Sequence, residues 1–261
     1  MRLGRSNMTN DLLVQKVKTW LYKTGELAKK LEKSQLQITT KSSRNDVVTN
    51  VDKEVQRFLV AKIESEFPED KILAEEDEKS SLVDMSGRVW LIDPIDGTLN
   101  FVFQRENFAI MIGVYEDGIG KLGFIYDVMR SELYWGGAGL GVFCNENKLE
   151  SPKNSGAKDG LWGINVGMYV QNVGNIQAVG ENAMGVRMIG SAGLEFISML
   201  KGNTIGYISN LYPWDYAPGV VLIKEFGFKA SGLDGLALTF NGQQYFIAAT
   251  TQAYNEIMKM C

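Results

Sequence analysis

The sequence predicts a layered protein of mixed helix and sheet, in the α/β or α+β class. Apolar residues recur at helical spacing over residues 10–33, which predicts an amphipathic helix. Short apolar runs at 71–74 and 88–92 predict buried strands, and residues 108–143 show successive strand patterns separated by glycine-rich turns. Because helical and strand patterns alternate again toward the C-terminus, we expect helices packed against sheet throughout the chain.

Two further features organise the chain. Thr49 and Asp52 precede an apolar helical face in the pattern of a capping box. A role as helix caps is therefore expected for both, and a role in a functional site is the alternative. Residues 148–159 resemble a linker, so we expect an N-terminal lobe at 1–150 and a C-terminal lobe at 151–261. The later predicted elements are a strand at 186–189, a helix at 191–201, a strand at 204–209, a helix at 215–226, strands at 236–240 and 245–249, and a helix at 252–260.

The composition narrows the possible partners. Of 261 residues, 45% are hydrophobic and 22% charged, which is ordinary for soluble globular proteins. The formal net charge of −4 gives no broad basic surface, so we expect no nucleic-acid partner. No apolar run is long enough to cross a membrane, and residues 1–8 lack the apolar stretch of a signal peptide, so we expect no membrane partner. Two cysteines form no disulfide framework, which favours a cytoplasmic location.

The absence of histidine from the sequence excludes several kinds of site. Ser-His-Asp catalysis, Cys-His catalysis and the usual zinc sites all need an imidazole. Acid–base chemistry must then come from carboxylates, Lys, Tyr, Cys or metal-bound water. A metal site must use oxygen ligands, which favour Mg²⁺, Ca²⁺ or Mn²⁺.

The stretch WLIDPIDGTLNF carries the strongest chemical signal. Pro94 lacks an amide hydrogen, so we expect the preceding strand to stop at Asp93, with Asp93 and Asp96 turned to the same side. Gly97 permits close approach of the backbone, and Thr98 begins a helical turn whose free amides can bind an anion. The stretch therefore offers cation ligands beside a phosphate site. Taken alone, it also fits two aspartates that merely cap a turn and a helix, the commoner use of such a motif.

More acidic residues follow other predicted elements. Glu75, Glu76 and Asp77 come directly after the apolar run KILA, and Asp215 lies in YPWDYAPG. Two carboxylates about 4 Å apart repel by about 4 kcal/mol at an effective dielectric constant of about 20, so a converging group of them would favour a divalent cation. Glu76 and Asp77 also fit a solvated acidic loop.

Four motifs in the same order resemble the inositol monophosphatase family of Mg²⁺-dependent, lithium-sensitive phosphatases. They are DVVTNVD at 46–52, ILAEED at 72–77, WLIDPIDGTLNFV at 90–102 and YPWDYAPGVVLIKEFG at 212–227. Each motif alone is weakly specific, but the four together are highly specific and span nearly the whole chain. The resemblance implies an α+β fold, a layered α-β-α-β-α sandwich of the inositol monophosphatase and fructose-1,6-bisphosphatase type, which is usually dimeric.

The same resemblance implies a set of metal ligands. Glu75, Asp93 and the Ile95 carbonyl would hold one Mg²⁺. Asp93, Asp96 and Asp215 would hold a second, with Asp93 bridging the two. A third and weaker ion would lie near Glu75, Mn²⁺ could replace Mg²⁺, and Li⁺ would inhibit.

The remaining site residues are implied in the same way. A metal-activated water would be oriented by Glu75 and Thr98, and Asp46 would accept a hydrogen bond from Thr98. Lys41 is either a solvated charge or part of a loop that closes over the metals. The residues implied to bind the substrate, a small phosphorylated metabolite, are Asp96, Gly97, Thr98, Ser191, Ala192 and Asp215.

One departure from the family pattern concerns the substrate. Many inositol phosphatases place a glutamate seven residues before the W-D aspartate to bind substrate hydroxyls, and Ile208 stands at that position here. The expected activity is hydrolysis of inositol 1-phosphate or a related small sugar or polyol phosphate. Because an isoleucine cannot accept hydrogen bonds from substrate hydroxyls, the sequence supports phosphatase activity more strongly than it supports inositol phosphate as the substrate. Alternative substrates are fructose 1,6-bisphosphate, NADP⁺ and 3′-phosphoadenosine 5′-phosphate. A non-catalytic scaffold is the alternative class, and retention of Thr98 with its neighbouring acids argues against it.

Overall fold

The computed structural model describes residues 10–33, 36–41, 43–44, 46–77 and 84–259. Within them the helices are α1 (Asn10–Glu32), α2 (Asn50–Glu66), α3 (Thr98–Gln104), α4 (Val166–Gln171), α5 (Ile176–Asn182), α6 (Ala192–Leu200), α7 (Pro213–Glu225) and α8 (Thr251–Ile257), with a 3-10 turn at Val173–Asn175. Residues 1–8, which were tested above for a signal peptide, lie outside the described residues. The last residue of the helix predicted at 252–260 also lies outside them, as does Cys261.

The strands of the described residues form three sheets. A seven-stranded sheet has the order β3-β4-β5-β6-β7-β8-β9, a five-stranded sheet has the order β11-β10-β12-β14-β13, and β1 pairs with β2. The strands are β1 (Ile38–Thr40), β2 (Val47–Thr49), β3 (Lys71–Ala74), β4 (Arg88–Asp96), β5 (Ala109–Glu116), β6 (Ile119–Asp127), β7 (Glu132–Gly137), β8 (Gly141–Cys144), β9 (Asn147–Lys148), β10 (Leu161–Ile164), β11 (Gly185–Arg187), β12 (Gly206–Leu211), β13 (Lys229–Gly232) and β14 (Gln244–Ala249).

Helices and sheets alternate in five layers. On one face of the seven-stranded sheet, α1 and α2 pack their apolar sides, including Trp20, over Trp90. On its other face, α6 and α7 lie between the two large sheets and bury Phe196 and Leu222. The outer face of the five-stranded sheet is covered by α4, α5 and α8, with Met168 in the contact. The predicted α-β-α-β-α order is therefore confirmed.

The strand that carries the two central aspartates is buried on both faces. Val89 and Leu91 of β4 belong to the core under α6 and α7, whereas Trp90 and Ile92 belong to the core under α1 and α2. This two-sided burial explains why the run is apolar without alternation.

This strand also continues further than predicted. β4 runs to Asp96 instead of stopping at Asp93, and its register shifts between the pairs Asp93–Met111 and Asp96–Ala109. Between these two pairs β4 advances by three residues and β5 by only two, so β4 contains a β-bulge. Pro94 lies in this irregular part, so its missing amide hydrogen does not end the strand.

The strand predicted at 236–240 is wrong. These residues have no regular secondary structure, and the strands that pair with β14 are β12 and β13. Leu238 and Phe240 pack against the core between the sheets, so their apolar pattern reflects packing and not pairing.

The two large sheets divide the chain near the predicted linker. The strands of the seven-stranded sheet all precede residue 150, and those of the five-stranded sheet all follow it. Because α6 and α7 contribute to a core shared by both sheets, the division into lobes at 150 stays a prediction. No helix among the described residues is long and apolar enough to cross a bilayer.

Candidate active site

Four carboxylates from three parts of the chain meet between the two sheets. Glu75 follows β3 directly, and its amide donates to the Ile92 carbonyl at 3.1 Å, which sets it beside β4. Asp93 and Asp96 lie on β4, and Asp215 lies in the first turn of α7. The convergence expected from the sequence is present, because all three other carboxylates act electrostatically on Asp93.

Burial and mutual repulsion make these carboxyl groups resist ionisation. Burial raises the pKa of Asp93 well above its usual range, and the charges of Glu75 and Asp96 raise it further. Burial also raises the pKa of Asp215 well above normal, again with contributions from Glu75 and Asp96. Glu75 and Asp93 lie within hydrogen-bonding reach of each other, so they can share a proton. A bound cation would relieve the same repulsion.

Two of the four carboxylates are oriented by helix N-termini. Asp96 accepts hydrogen bonds from the amides of Ala192 at 2.9 Å and Gly193 at 2.8 Å, and from the Ser191 hydroxyl. Asp215 accepts from the Tyr212 amide at 2.8 Å and so caps its own helix. Both arrangements place a negative charge at the positive end of a helix.

The acidic group also faces one fixed cation. The Lys41 ammonium donates to Glu75 at 3.0 Å and forms a second ion pair with Glu76. Only 6% of the Glu76 side chain is exposed, so the predicted solvated loop is wrong for Glu76. Asp77 is exposed, as that prediction required, and it accepts a hydrogen bond from Gln56 at 2.9 Å.

The donor set fits a hard divalent cation. The converging side chains offer only carboxylate oxygens, and the Ile95 carbonyl lies in the same bulge; Mg²⁺ and Mn²⁺ prefer such ligands. No three acidic side chains of the described residues are already arranged around a common ion position. Glu75 is paired with Lys41, Asp96 accepts from amides at the start of α6, and Asp215 accepts from the amide of Tyr212, just before α7.

A tight turn follows the aspartates. Gly97 has a φ of +86° and precedes α3, and a Cβ at this position would lie 3.2 Å from the Asn107 carbonyl oxygen. Only glycine fits this conformation and close approach without strain. The first amides of α3, beginning at Thr98, have no partner inside the helix and can bind a phosphate group beside the acidic cluster.

The acceptor for Thr98 differs from the prediction. Its hydroxyl lies 3.0 Å from the Ile95 carbonyl oxygen and 3.2 Å from Asp52 Oδ1, so Asp52 takes the place expected for Asp46. Asp46 instead precedes β2, where its carbonyl accepts from the Lys41 amide at 2.7 Å. Both acids belong to the motif DVVTNVD. Asp46 is the first and precedes β2, whereas Asp52 is the second and lies in the first turn of α2, which follows β2 directly.

Asp52 both caps a helix and contacts the candidate site. Its Oδ2 accepts from the Thr49 amide at 3.0 Å, which completes the predicted capping box of α2. Its Oδ1 faces Thr98. Burial raises the pKa of Asp52 to about 6. The interpretation of Asp52 as a helix cap was therefore correct but incomplete.

Ile208 does not line the site. It is fully buried on β12 and packs in the outer core with Ile164 and Ile247. Successive residues of a strand face opposite sides, so Tyr207 and Ser209 point toward the middle layer. Burial raises the pKa of Tyr207, and the charges of neighbouring acids, Asp96 among them, raise it further. Tyr207 is thus a site neighbour that motif spacing did not identify.

Known proteins are similar to this chain over most of its length. The chain matches the inositol monophosphatase family over residues 10–260. Inositol-1-monophosphatase of Bacillus subtilis (strain 168) is 38% identical over 258 residues, covering 97% of each chain. A fructose-1,6-bisphosphatase/inositol-1-monophosphatase of Thermotoga maritima is 29% identical over 231 residues, covering 85% of each chain. Nus factor SuhB of Escherichia coli (strain K12) is 30% identical over 247 residues, covering 89% of this chain and 87% of its own.

Solved structures are similar over the same length. Inositol monophosphate bound SaIMPase-II has 32% identity and a TM-score of 0.85, covering 95% of this chain and 92% of its own. An IMPase/NADP phosphatase complexed with Mg²⁺ and phosphate has 28% identity and a TM-score of 0.88, covering 96% and 95%. A staphylococcal inositol monophosphatase-1 in a LiCl-soaked inhibitory complex has 28% identity and a TM-score of 0.90, covering 98% and 96%.

Proposed function

Because the chain belongs to the inositol monophosphatase family, we propose that it is a Mg²⁺-dependent phosphomonoesterase acting on inositol 1-phosphate or a related small sugar or polyol phosphate. The observation that carries the proposal is the meeting of Glu75, Asp93, Asp96 and Asp215 beside the Gly97–Thr98 turn. This arrangement joins a cation site to a phosphate site, which is what phosphoryl transfer to water requires.

The metal ligands carry over from the sequence as part of the proposal. Glu75, Asp93 and the Ile95 carbonyl would hold one Mg²⁺, and Asp93, Asp96 and Asp215 a second, with a weaker third ion near Glu75. Bound Mg²⁺ would neutralise phosphate charge and activate water for attack at phosphorus. Mn²⁺ would substitute, and Li⁺ would inhibit, as the relative soaked in LiCl suggests.

The chain's own residues would position the reactants. The first amides of α3 would bind phosphate oxygens, and Glu75 would accept a proton from the attacking water. The Thr98 hydroxyl would orient that water, since its own hydrogen is directed toward Asp52 or the Ile95 carbonyl. Ser191 and Ala192 would lie along the substrate while they hold Asp96 in place.

Two other functions have specific support. A relative described as an IMPase/NADP phosphatase supports a 2′-phosphorylated nucleotide as the substrate. Fructose 1,6-bisphosphate and 3′-phosphoadenosine 5′-phosphate remain further alternatives. The similarity to Nus factor SuhB supports a scaffold function. A scaffold would not need buried acids that repel one another, so the acidic cluster argues against this function.

A substrate panel tests the proposal. Phosphate release would be measured from inositol 1-phosphate, glycerol phosphate, fructose 1,6-bisphosphate, NADP⁺ and 3′-phosphoadenosine 5′-phosphate, each with Mg²⁺, with EDTA and with added LiCl. We expect Mg²⁺-dependent, Li⁺-sensitive release, fastest from a polyol phosphate. Asp93→Asn is the inactive control. Mg²⁺ binding without release from any ester would support the scaffold function instead.

The assembly and location form a separate proposal. We propose that the protein is a homodimer, as is usual in the inositol monophosphatase family, and that it is cytoplasmic. Phe103 and Met184, large apolar side chains that are 80% and 75% exposed, are candidate residues for the interface. Light scattering at a defined protein concentration would distinguish a dimer of about 58 kDa, twice the 29.0 kDa chain, from a monomer.

A further inference from the structure

The backbone of Ile189 is held on both sides by buried side chains from two helices. Asn100 of α3 donates from Nδ2 to the Ile189 carbonyl at 2.9 Å, and to the Asn107 carbonyl at 2.9 Å. Glu195 of α6 accepts from the Ile189 amide through Oε1 at 3.1 Å. Asn100 is 8% exposed and Glu195 is 2% exposed. Both amide hydrogens of Asn100 are therefore used to join separate segments of chain.

The segment that follows Ile189 holds Asp96. Two residues further on, the Ser191 hydroxyl and the amides of Ala192 and Gly193 all donate to the Asp96 carboxylate. The two hydrogen bonds to Ile189 therefore hold the start of segment 189–193, whose donors orient Asp96. Small shifts of such donors would turn the carboxylate away from its proposed ligand position.

The same contacts connect this segment to the phosphate-binding turn. Asn100 lies in the first turn of α3, two residues after Thr98. A Cβ on Gly97 would lie 3.3 Å from the Gly190 carbonyl oxygen, so the two backbones approach each other closely. The bond from Asn100 to Ile189 holds them at this separation.

Stability alone gives no reason for Glu195 at this position. Its Oε2 has no hydrogen-bond partner among the described residues. This oxygen lies close to Gly163, where an added Cβ would be only 2.2 Å from it. Burial raises the pKa of Glu195 to about 7, and the charge of Asp96 acts in the same direction. A buried carboxyl with one unpaired oxygen is costly, and such groups call for another explanation.

We propose that Asn100 and Glu195 are positioning residues that clamp Ile189 and thereby orient Asp96 for Mg²⁺ and hold the substrate segment against the phosphate-binding turn. The proposal deepens the proposed function and rests on it. Neither side chain touches the reacting atoms. Asn100 belongs to the motif D-G-T-L-N, in which Asp96, Gly97 and Thr98 already have proposed roles.

The test compares variants that break the clamp with one that keeps it. Asn100→Ala and Glu195→Ala each remove a bond to Ile189, whereas Glu195→Gln keeps an oxygen acceptor at Oε1. Titration calorimetry with MgCl₂ measures the affinity directly, and phosphate release gives the Mg²⁺ concentration for half-maximal rate. We expect the two alanine variants to weaken Mg²⁺ binding about tenfold, the size seen for partners that orient metal ligands, and Glu195→Gln to bind close to wild type.

Two further measurements separate positioning from general stability. Thr250→Ala removes a buried hydroxyl that caps α8 and donates to the Ser155 carbonyl at 2.5 Å, so it should lower thermal stability without changing Mg²⁺ affinity. The double variant of Asn100 and Glu195 should weaken Mg²⁺ binding by less than the product of the single effects, since both residues act through Ile189.

The outcomes are distinct. Mg²⁺ affinity unchanged in both alanine variants, or lost equally in Glu195→Gln and Glu195→Ala, overturns the clamp. If Asn100→Ala does not fold, the pair of Glu195 variants decides the question. If the wild-type protein releases no phosphate from any ester, the proposed function fails, and the calorimetric titration still tests the clamp.

Discussion

Asp52 Oδ1 accepts a hydrogen bond from the Thr98 hydroxyl at 3.2 Å, across 46 residues of chain. This contact joins the first turn of α2 to the first turn of α3. The other carboxylate oxygen of Asp52 accepts from the Thr49 amide, so its orientation does not depend on Thr98 alone. Asp52 therefore provides a preset acceptor for the Thr98 hydroxyl beside the proposed phosphate-binding turn.

Removing the Thr98 hydroxyl should slow turnover while leaving the amides that are proposed to bind phosphate in place. Thr98→Val is nearly the same size, so we expect kcat to fall about a hundredfold with a smaller change in KM. Thr98→Ser keeps the hydroxyl and should retain most activity. Steady-state kinetics of phosphate release measure both, with the exposed neighbour variant Leu99→Ala as control. A Thr98→Val enzyme within threefold of wild type would contradict the assignment.

The raised pKa of Asp52 predicts a pH-dependent cost in stability. Below about pH 4 the carboxyl is protonated in both the folded and the unfolded protein, so it has no effect. Between about pH 4 and 6 the carboxyl ionises in the unfolded protein but stays protonated in the folded one, so the free energy of unfolding falls with rising pH and levels off above the folded pKa of about 6. Asp52→Asn should remove a decrease of about 3 kcal/mol between pH 4 and 7. Urea titrations at several pH values measure it, and equal pH slopes in both proteins would refute the prediction.

The two carboxylates nearest the proposed first Mg²⁺ should be indispensable for turnover. Glu75→Gln and Asp93→Asn keep the shapes of the side chains but remove ligand charge, so we expect a loss of activity of about a thousandfold or more with the fold intact. Asp77→Asn, a neighbouring exposed carboxylate, should remain active. Circular dichroism checks the fold, and substantial residual activity in either site variant would show that the assignment is wrong.

Asp93 should also destabilise the metal-free protein. Its charge is buried and faces three other acids, so Asp93→Asn should raise the melting temperature in EDTA. In the wild-type protein, Mg²⁺ at about 100 times its dissociation constant should add about 2.7 kcal/mol of stability. Asp93→Asn should lose most of this increase. Calorimetric melting with and without Mg²⁺ tests both parts, and a variant less stable than wild type in EDTA would contradict the first.

Placing a glutamate at position 208 should not create an inositol site. Ile208 lies in the outer core with Ile164 and Ile247, so Ile208→Glu would bury an unpaired charge and should cost more than about 3 kcal/mol. Asn210→Glu on the same strand, at a half-buried position, is the matched control and should be tolerated better. Chemical unfolding measures the difference. A stable Ile208→Glu protein with increased preference for inositol phosphate would show that this side chain reaches the site.

Much of the fold and the acidic cluster could be read from the chain. The apolar periods locate α1, α2, β3 and β4 because burial on one or two faces leaves a direct pattern in the sequence. The strand end at Asp93 was predicted wrongly because a bulge lets β4 continue past Pro94. The strand at 236–240 was predicted wrongly because an irregular segment can bury apolar side chains without pairing.

Local order along the chain was thus sufficient to identify the acids, the glycine turn and the layered architecture, because each depends on neighbouring residues or on burial period. The choice between Asp46 and Asp52 as partner of Thr98, the direction of Ile208 and the hold on Ile189 depended on packing. These contacts join segments up to 89 residues apart, and no short-range spacing encodes which side chains meet there. Folding of the layers brings those groups within a few ångströms of each other.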